Sequence, residues 1–306
     1  MTWWRRLGFK SNPLSIRPNK NLLGLEDIEK RVLFLLSSGI PALLFGDVGT
    51  GKTSLALRIM DKLKKKYLTV YLNGEEAPRD LSSFIEKKRK KFWFWRDKRD
   101  VIFLIDEAEK CERSFFEKLK NLFDKKEIYS FLLIQVSEKN ENFSKAFLDR
   151  LSIEKFKLKP PSTSILKEII RRRLQGKIIF DERGVEKVAL ICGNNVRKVL
   201  KTLLYIMSKV GIKEFYSYED IINNLPTPTE LGKEKIHLSK QQKIIARSLL
   251  EGEKTLKELE EELGIKKEIL SKQLARMIDK GCVIKRKEGK QVLYSIKEEA
   301  REVIEL

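Results

Sequence analysis

The sequence predicts a three-layer α/β domain with a parallel sheet, followed by an all-helical segment and a small C-terminal winged helix-turn-helix. Three observations carry this prediction. Short apolar runs alternate with charged amphipathic stretches up to about residue 160. After Pro160 and Pro161 the period becomes helical throughout. The chain then closes on three short helical stretches and a two-strand pattern.

The elements follow in order. Ala42 to Phe45, Thr69 to Leu72, Val101 to Ile105 and Phe131 to Val136 are the expected strands, each a short apolar run of the kind buried on both faces of a parallel sheet. Ser162 to Leu174, Asp181 to Cys192 and Asn195 to Val210 are expected as three helices. Leu225 to Lys235 contains two prolines and a glycine and reads as a linker. Beyond it, Ser239 to Leu250, Leu256 to Leu263 and Lys266 to Lys280 are helical, and Val283 to Lys287 with Gln291 to Ile296 form a hairpin turned at Gly289. The expected boundaries are 1–160, 161–225, a linker at 226–235, and 236–306.

Composition narrows the class. The 306 residues are 42% hydrophobic and 35% charged, which fits a folded chain of two or three domains and argues against disorder throughout. Sixty-four Lys and Arg against 44 Asp and Glu leave a formal charge of +20, enough to attract polyanions at long range. Nucleic acid is the leading partner. Solubility of a Lys- and Glu-rich protein is the bland alternative, and an anionic membrane surface a weaker rival. Cys111, Cys192 and Cys282 lie far apart and His237 is the sole histidine, so a disulfide scaffold or a zinc site is not expected. Met1 to Lys10 carries two tryptophans and basic residues but no long apolar run, so a cytoplasmic protein without integral membrane contact is expected.

The segment Gly46-Asp47-Val48-Gly49-Thr50-Gly51-Lys52-Thr53 follows the first strand and opens a helical stretch from Ser54 to Lys64. Its glycines let backbone N–H groups close on phosphate oxygens, and the helix behind offers its positive end. Gly46, Asp47, Val48, Gly49, Thr50, Gly51, Lys52, Thr53 and Ser54 are therefore the expected ATP-binding residues. Lys52 should reach the β- and γ-phosphates, and the Thr53 hydroxyl should complete the coordination of Mg2+. The third strand runs directly into Asp106 and Glu107, placing two carboxylates at a strand's C-terminal end, where open α/β sheets hold ligands. Asp106 is expected to hold Mg2+ through water, and Glu107 to orient or deprotonate the attacking water.

Two regions suit nucleic acid. In the C-terminal unit Ile269, Leu270, Leu274, Met277 and Ile278 can face a core, leaving Lys267, Ser271, Lys272 and Arg276 for a major groove. Lys285, Arg286, Lys287 and Lys290 charge the hairpin. The alternative is a winged domain that docks protein. Lys87-Lys88-Arg89-Lys90-Lys91 runs into Phe92-Trp93-Phe94-Trp95-Arg96, joining phosphate-neutralising charge to aromatic surface; Lys88, Arg89 and Lys91 are candidate DNA contacts. Aromatics packed on the core beneath solvated lysines explain the same pattern.

With these motifs in this order the sequence resembles the AAA+ ATPases, and among them the archaeal origin-recognition initiators, over most of its length. The resemblance implies further roles. Ser137, after the strand ending in Gln135-Val136, falls at the sensor-1 position, with Asn140 as the alternative. Phe147-Leu148-Asp149-Arg150 resembles the family's L-D-x-R stretch and makes Arg150 the candidate arginine finger, acting on a neighbouring subunit's nucleotide. Gly193-Asn194-Asn195-Val196-Arg197-Lys198 is similar to the sensor-2 motif, which brings Arg197 to the γ-phosphate from a lid. Lys157 to Pro161 resembles the base-to-lid junction, Tyr218 to Ile221 a closing lid helix, and Leu23 to Ile28 the segment that cradles adenine. The family's inserted helix lies where Lys87 to Arg96 lies and contacts DNA.

The resemblance implies duplex DNA, self-association or other AAA+ subunits, and a replication or recombination protein as partners. The opening, Leu7 to Leu14, is closer to AAA+ regulators of transposition. It favours a second role, an adaptor that recruits a protein partner in transposition, secretion or transcription through the winged domain.

Overall fold

The computed structural model describes residues 2–78, 80–92, 95–96, 98–227, 236–289, 291–297, 300 and 304–305. A short N-terminal helix α1 (Trp3–Arg6) precedes α2 (Glu26–Ser37), β1 (Ala42–Gly46), α3 (Lys52–Leu63) and β2 (Leu68–Asn73). Next come α4 (Leu81–Arg89), a small hairpin of β3 (Lys90–Phe92) and β4 (Trp95–Arg96), then β5 (Val101–Asp106), α5 (Arg113–Asp124), β6 (Ser130–Gln135), α6 (Lys145–Leu148) and β7 (Lys155–Leu158).

Five of these strands form one sheet in the order β2-β5-β6-β1-β7, parallel at every pairing. Both faces are covered, as the unbroken apolar character of β1, β5 and β6 requires. Strand alternation divides the core. On β5, Ile102 and Leu104 join Leu55, Ile59 and Val32 under α2 and α3, while Val101, Phe103 and Ile105 join Leu81, Phe116 and Phe147 under α4, α5 and α6. Beneath α2 the buried Glu29 pairs with Arg58 at 2.7 Å and Lys62 at 2.9 Å, tying α2 to α3.

One strand of this sheet is absent from the sequence expectation. β7 carries only two apolar residues, Phe156 and Leu158, alternating with the exposed Lys155 and Lys157, so its sequence reads as the base-to-lid junction. It is held by its partner: Gly46 on β1 pairs with Leu158. Pro160 and Pro161 then stop it, lacking the N–H groups that would continue the ladder.

The helical segment is α7 (Thr163–Arg173), α8 (Glu182–Ile191), α9 (Val196–Val210) and α10 (Tyr218–Ile222). Ser162, Asp181, Asn195 and Ser217 each cap the helix that follows with a side-chain oxygen. Its core has an unexpected contributor. Phe9 and Leu14, expected in the first domain, are buried among Leu166, Leu203 and Tyr216, and the Arg173 guanidinium donates to the carbonyl of Ser15 at 2.8 Å. The N-terminal strap therefore packs on the helical segment, because that cluster leaves an apolar surface which α7 to α10 alone do not cover.

After the expected linker, of which 228–235 lie outside the described residues, β8 (Ile236–His237) precedes α11 (Lys240–Glu251), β9 (Lys254–Thr255), α12 (Leu256–Leu263), α13 (Lys267–Asp279), β10 (Val283–Glu288), β11 (Gln291–Ile296) and β12 (Ile304–Glu305). β12 pairs in parallel with β8, and β10, β11 and β9 form an antiparallel sheet. The core holds Leu249, Leu259, Leu270, Leu274 and Met277. Ile278 is only partly buried there. Ile269 departs from expectation: it is 41% exposed, because it stands about 100° around α13 from Leu270, off the stripe that Leu270, Leu274 and Met277 share. The three cysteines are buried in three separate clusters.

Candidate functional site

The loop between β1 and α3 turns on glycines in the left-handed region. At Gly46 a Cβ would lie 2.3 Å from the Leu158 carbonyl oxygen, and at Gly49, 2.3 Å from the Asn195 carboxamide oxygen. Only a glycine allows strand and helical segment to approach this loop so closely. Lys52 donates to the carbonyls of Gly46 at 2.5 Å and Asp47 at 3.0 Å, so its ammonium is held at the loop's centre. Burial lowers its pKa, with Asp106, Glu109 and Asp47 opposing and Arg197 adding to the shift. The Thr50 hydroxyl donates to the Asp47 carbonyl at 2.8 Å.

Across the sheet, β5 delivers Asp106 at 5% exposure. Its Oδ1 accepts the Glu107 N–H at 3.0 Å and its Oδ2 accepts the Tyr71 hydroxyl at 2.7 Å. Burial and the hydrogen bond to Asp106 both push the Tyr71 hydroxyl upward, keeping it a neutral donor. Glu107 has φ 52° and ψ 43°, a left-handed conformation that is uncommon outside glycine and turns its exposed side chain away from the strand direction. Gly74 makes room for that turn: a Cβ there would lie 2.2 Å from the Glu107 carbonyl oxygen.

Thr50, Lys52, Asp106 and Glu107 line one cleft of about 710 Å3, which fits a nucleotide; Gly46, Asp47, Tyr71 and Gly74 do not line it. At its phosphate end stand Val48 to Ser54, Asp106, Glu107 and Glu109. Apolar walls come from Leu22 to Leu25 and Ile28, and the helical segment adds Val196, Arg197 and Leu200. Within this set Ser54 has a second task, since its hydroxyl accepts the Asn19 N–H at 3.1 Å. Thr53 and Asp106 offer the hard oxygen donors that Mg2+ prefers, so the residues present fit that ion.

Not every expected residue comes to the cleft. Ser137 is exposed beyond the end of β6, its hydroxyl accepting the Lys139 N–H at 3.3 Å, and it does not line the cleft. Gln135 does. It is buried, donates to the Ser137 carbonyl at 2.6 Å and accepts from Asn140 at 3.2 Å, so the strand's last side chain organises the turn that carries Ser137 and Asn140 away. Arg150 also stays outside, held by Asp124 through two 3.1 Å hydrogen bonds and by the Ala146 carbonyl at 2.9 Å. Residues not anticipated are Tyr71, Gln135, Glu109 and Asn195. Asn195 caps α9 with its oxygen and donates to the Val48 carbonyl at 2.6 Å, a direct bridge from the helical segment to the phosphate loop.

In the C-terminal unit Lys267, Ser271, Lys272 and Arg276 are exposed along α13, and Lys285, Arg286 and Lys287 along β10; Lys290 lies outside the described residues. Arg286 is tied to Glu253 at 3.0 Å and Glu288 at 3.2 Å. On α4, Lys88 lies 5.2 Å over the Phe84 ring and Arg89 is half-buried, while the Lys91 side chain and Trp93-Phe94 lie outside the described residues.

A parallel sheet of this order, with a phosphate loop after β1, carboxylates at the end of β5 and a helical segment over the cleft, defines the AAA+ P-loop fold. Residues 41–158 match the family model described as AAA domain (dynein-related subfamily). The chromosomal replication initiator protein DnaA of Nautilia profundicola is 25% identical over 190 residues, 57% of this chain and 42% of that protein, so the chain spans less than half of this relative.

Among solved structures, the Aeropyrum pernix Orc1 protein in complex with DNA is similar with a TM-score of 0.56 at 16% identity, covering 93% of each chain. The Thermotoga maritima RuvB Holliday junction branch migration motor has a TM-score of 0.55 at 19% identity, covering 94% of this chain and 97% of that one. Residues 41–158 thus carry an AAA domain, and the fold of the chain is that of the Orc1 and RuvB structures. No helix among the described residues is long and apolar enough to cross a membrane.

Proposed function

We propose that this chain is an ATP-dependent, DNA-binding AAA+ protein of the replication-initiator kind, whose nucleotide state controls DNA binding and assembly. One observation carries the reading: Asn195 of the helical segment bonds the phosphate loop at Val48, and Arg197 lines the same cleft as Val48 to Ser54, so a nucleotide there would touch both parts of the protein. In this reading 1–160 is the nucleotide-binding base, 161–225 the lid, 226–235 the linker and 236–306 a winged helix-turn-helix. Backbone groups of Gly46 to Thr53 and the Lys52 ammonium bind phosphates, Leu22 to Leu25 face the base, and Arg197 contacts the γ-phosphate. Thr53 and Asp106 hold Mg2+, which supplies neutralisation of charge developing on the phosphate oxygens. Glu107 orients the attacking water, and Arg150 completes a neighbouring subunit's site once Asp124 releases it.

Steady-state phosphate release by wild type, Lys52→Ala and Glu107→Gln tests the catalytic assignment. Equal rates in all three would exclude it. Anisotropy of a labelled duplex across salt concentrations tests the DNA assignment, with Lys272→Ala and Arg276→Ala expected to weaken binding and flatten its salt dependence.

A protein-docking winged domain is the second reading, favoured by α12, whose exposed Glu258, Glu261 and Glu262 would repel a phosphate backbone. Charge reversal of Lys272 and Arg276 that leaves duplex binding intact would favour it.

A further inference from the structure

We infer that Tyr71 is a positioning residue for the metal-holding carboxylate: its hydroxyl fixes Asp106 so that the oxygen lone pairs left unused by protein face the cleft. The inference rests on the reading of this cleft as a Mg-ATP site. It begins with the sheet. On β2 burial alternates, with Leu68, Val70 and Leu72 under α4 and α5, so Tyr71 projects to the opposite face, among the side chains that pack under α2 and α3. Asn73 pairs with Asp106 and Tyr71 with Leu104, so the tyrosine stands one diagonal step from the aspartate. Because β5 also alternates, Leu104 and Asp106 point the same way as Tyr71. The hydroxyl thus reaches Oδ2 at 2.7 Å from behind, while Tyr71 itself does not line the cleft.

The chemistry of the donor matters. Asp106 is almost fully buried, and its two oxygens have two protein donors, the Glu107 N–H and the Tyr71 hydroxyl. Together these lock rotation about the carboxylate. A lysine or arginine at position 71 would hold the carboxylate equally well but would cancel its charge and compete with a cation. A phenol is a neutral donor, so it orients the carboxylate and leaves the full negative charge for the metal. Partners of this kind behind metal ligands change metal affinity by about 10- to 100-fold.

The test uses the full chain with Tyr71→Phe, Tyr71→4-aminophenylalanine and, as control, Tyr67→Phe, a tyrosine just before the same strand whose hydroxyl bonds the Ser37 carbonyl at the end of α2. Binding of a fluorescent ATP analogue is measured in chelator and across a Mg2+ titration. Mn2+ binding in the presence of ATP is read by electron paramagnetic resonance, and thermal unfolding reports the fold. For Tyr71→Phe the expected result is metal-free nucleotide affinity within about two-fold of wild type and a half-saturating Mg2+ or Mn2+ concentration raised about ten-fold. The amino variant, which restores a donor of the same reach, should return toward wild type, and Tyr67→Phe should match it.

A folded Tyr71→Phe with unchanged metal half-saturation overturns the inference and leaves the nucleotide site standing. If Tyr71→Phe does not fold, the amino variant decides, and an altered metal dependence there counts against the hydroxyl's role. Wild type that binds no nucleotide in a metal-dependent way overturns the reading of the cleft itself.

Discussion

At the residue scale the phosphate loop is shaped by what presses on it. Gly46 lies against the Leu158 carbonyl, so Gly46→Ala forces backbone apart and should cost roughly 1–3 kcal/mol, read as a lowered denaturant midpoint. Lys52 has the opposite character. It is held by two carbonyls and by no carboxylate within the loop, so Lys52→Ala should leave the fold intact and abolish nucleotide binding, which isothermal titration would report. Glu107→Gln keeps the left-handed backbone but removes the carboxylate proposed to orient the attacking water. ATP should still bind, and hydrolysis should fall about 10^2- to 10^4-fold.

Elements decide which of these residues act together. Alternation along β2 and β5 brings Tyr71 to Asp106, and the cap of α9 brings Asn195 to Val48. Within the C-terminal unit the same logic separates core from surface on α13. Leu274→Ala should destabilise by about 2–5 kcal/mol, whereas Ile269→Ala, on an exposed flank, should stay within about 0.5 kcal/mol. Urea unfolding of the two variants distinguishes them. Lys272 and Arg276 occupy the exposed face of that helix, and each removed phosphate contact should lower the slope of log affinity against log salt by about one.

For the whole molecule, the cleft joins parts that the chain order separates. The N-terminal strap packs on the helical segment, the segment's Asn195 bonds the loop after β1, and both the loop and the helical segment line the cleft. Nucleotide at 100 times its dissociation constant should therefore stabilise the protein by about 2.7 kcal/mol, visible as a raised melting temperature that Lys52→Ala loses.

Much of this was legible in the sequence, and the reason is local. Gly46 to Thr53 is one continuous segment whose glycines and lysine carry their own geometry, and the strand before Asp106 and Glu107 is recognised from its short unbroken apolar run alone. Helix caps at Ser162, Asp181 and Asn195 are likewise written in neighbouring residues. Tertiary structure alone decided the rest. β7 has too little apolar surface to declare itself and exists through pairing with β1. Tyr71 reaches Asp106, 35 residues on, only because β2 and β5 pair in one register. Ser137 leaves the cleft because Gln135 hydrogen-bonds the turn beyond it, and Phe9 is buried in a helical core more than 150 residues away in sequence. Such contacts are set by shape and burial between distant segments, which a local period does not encode.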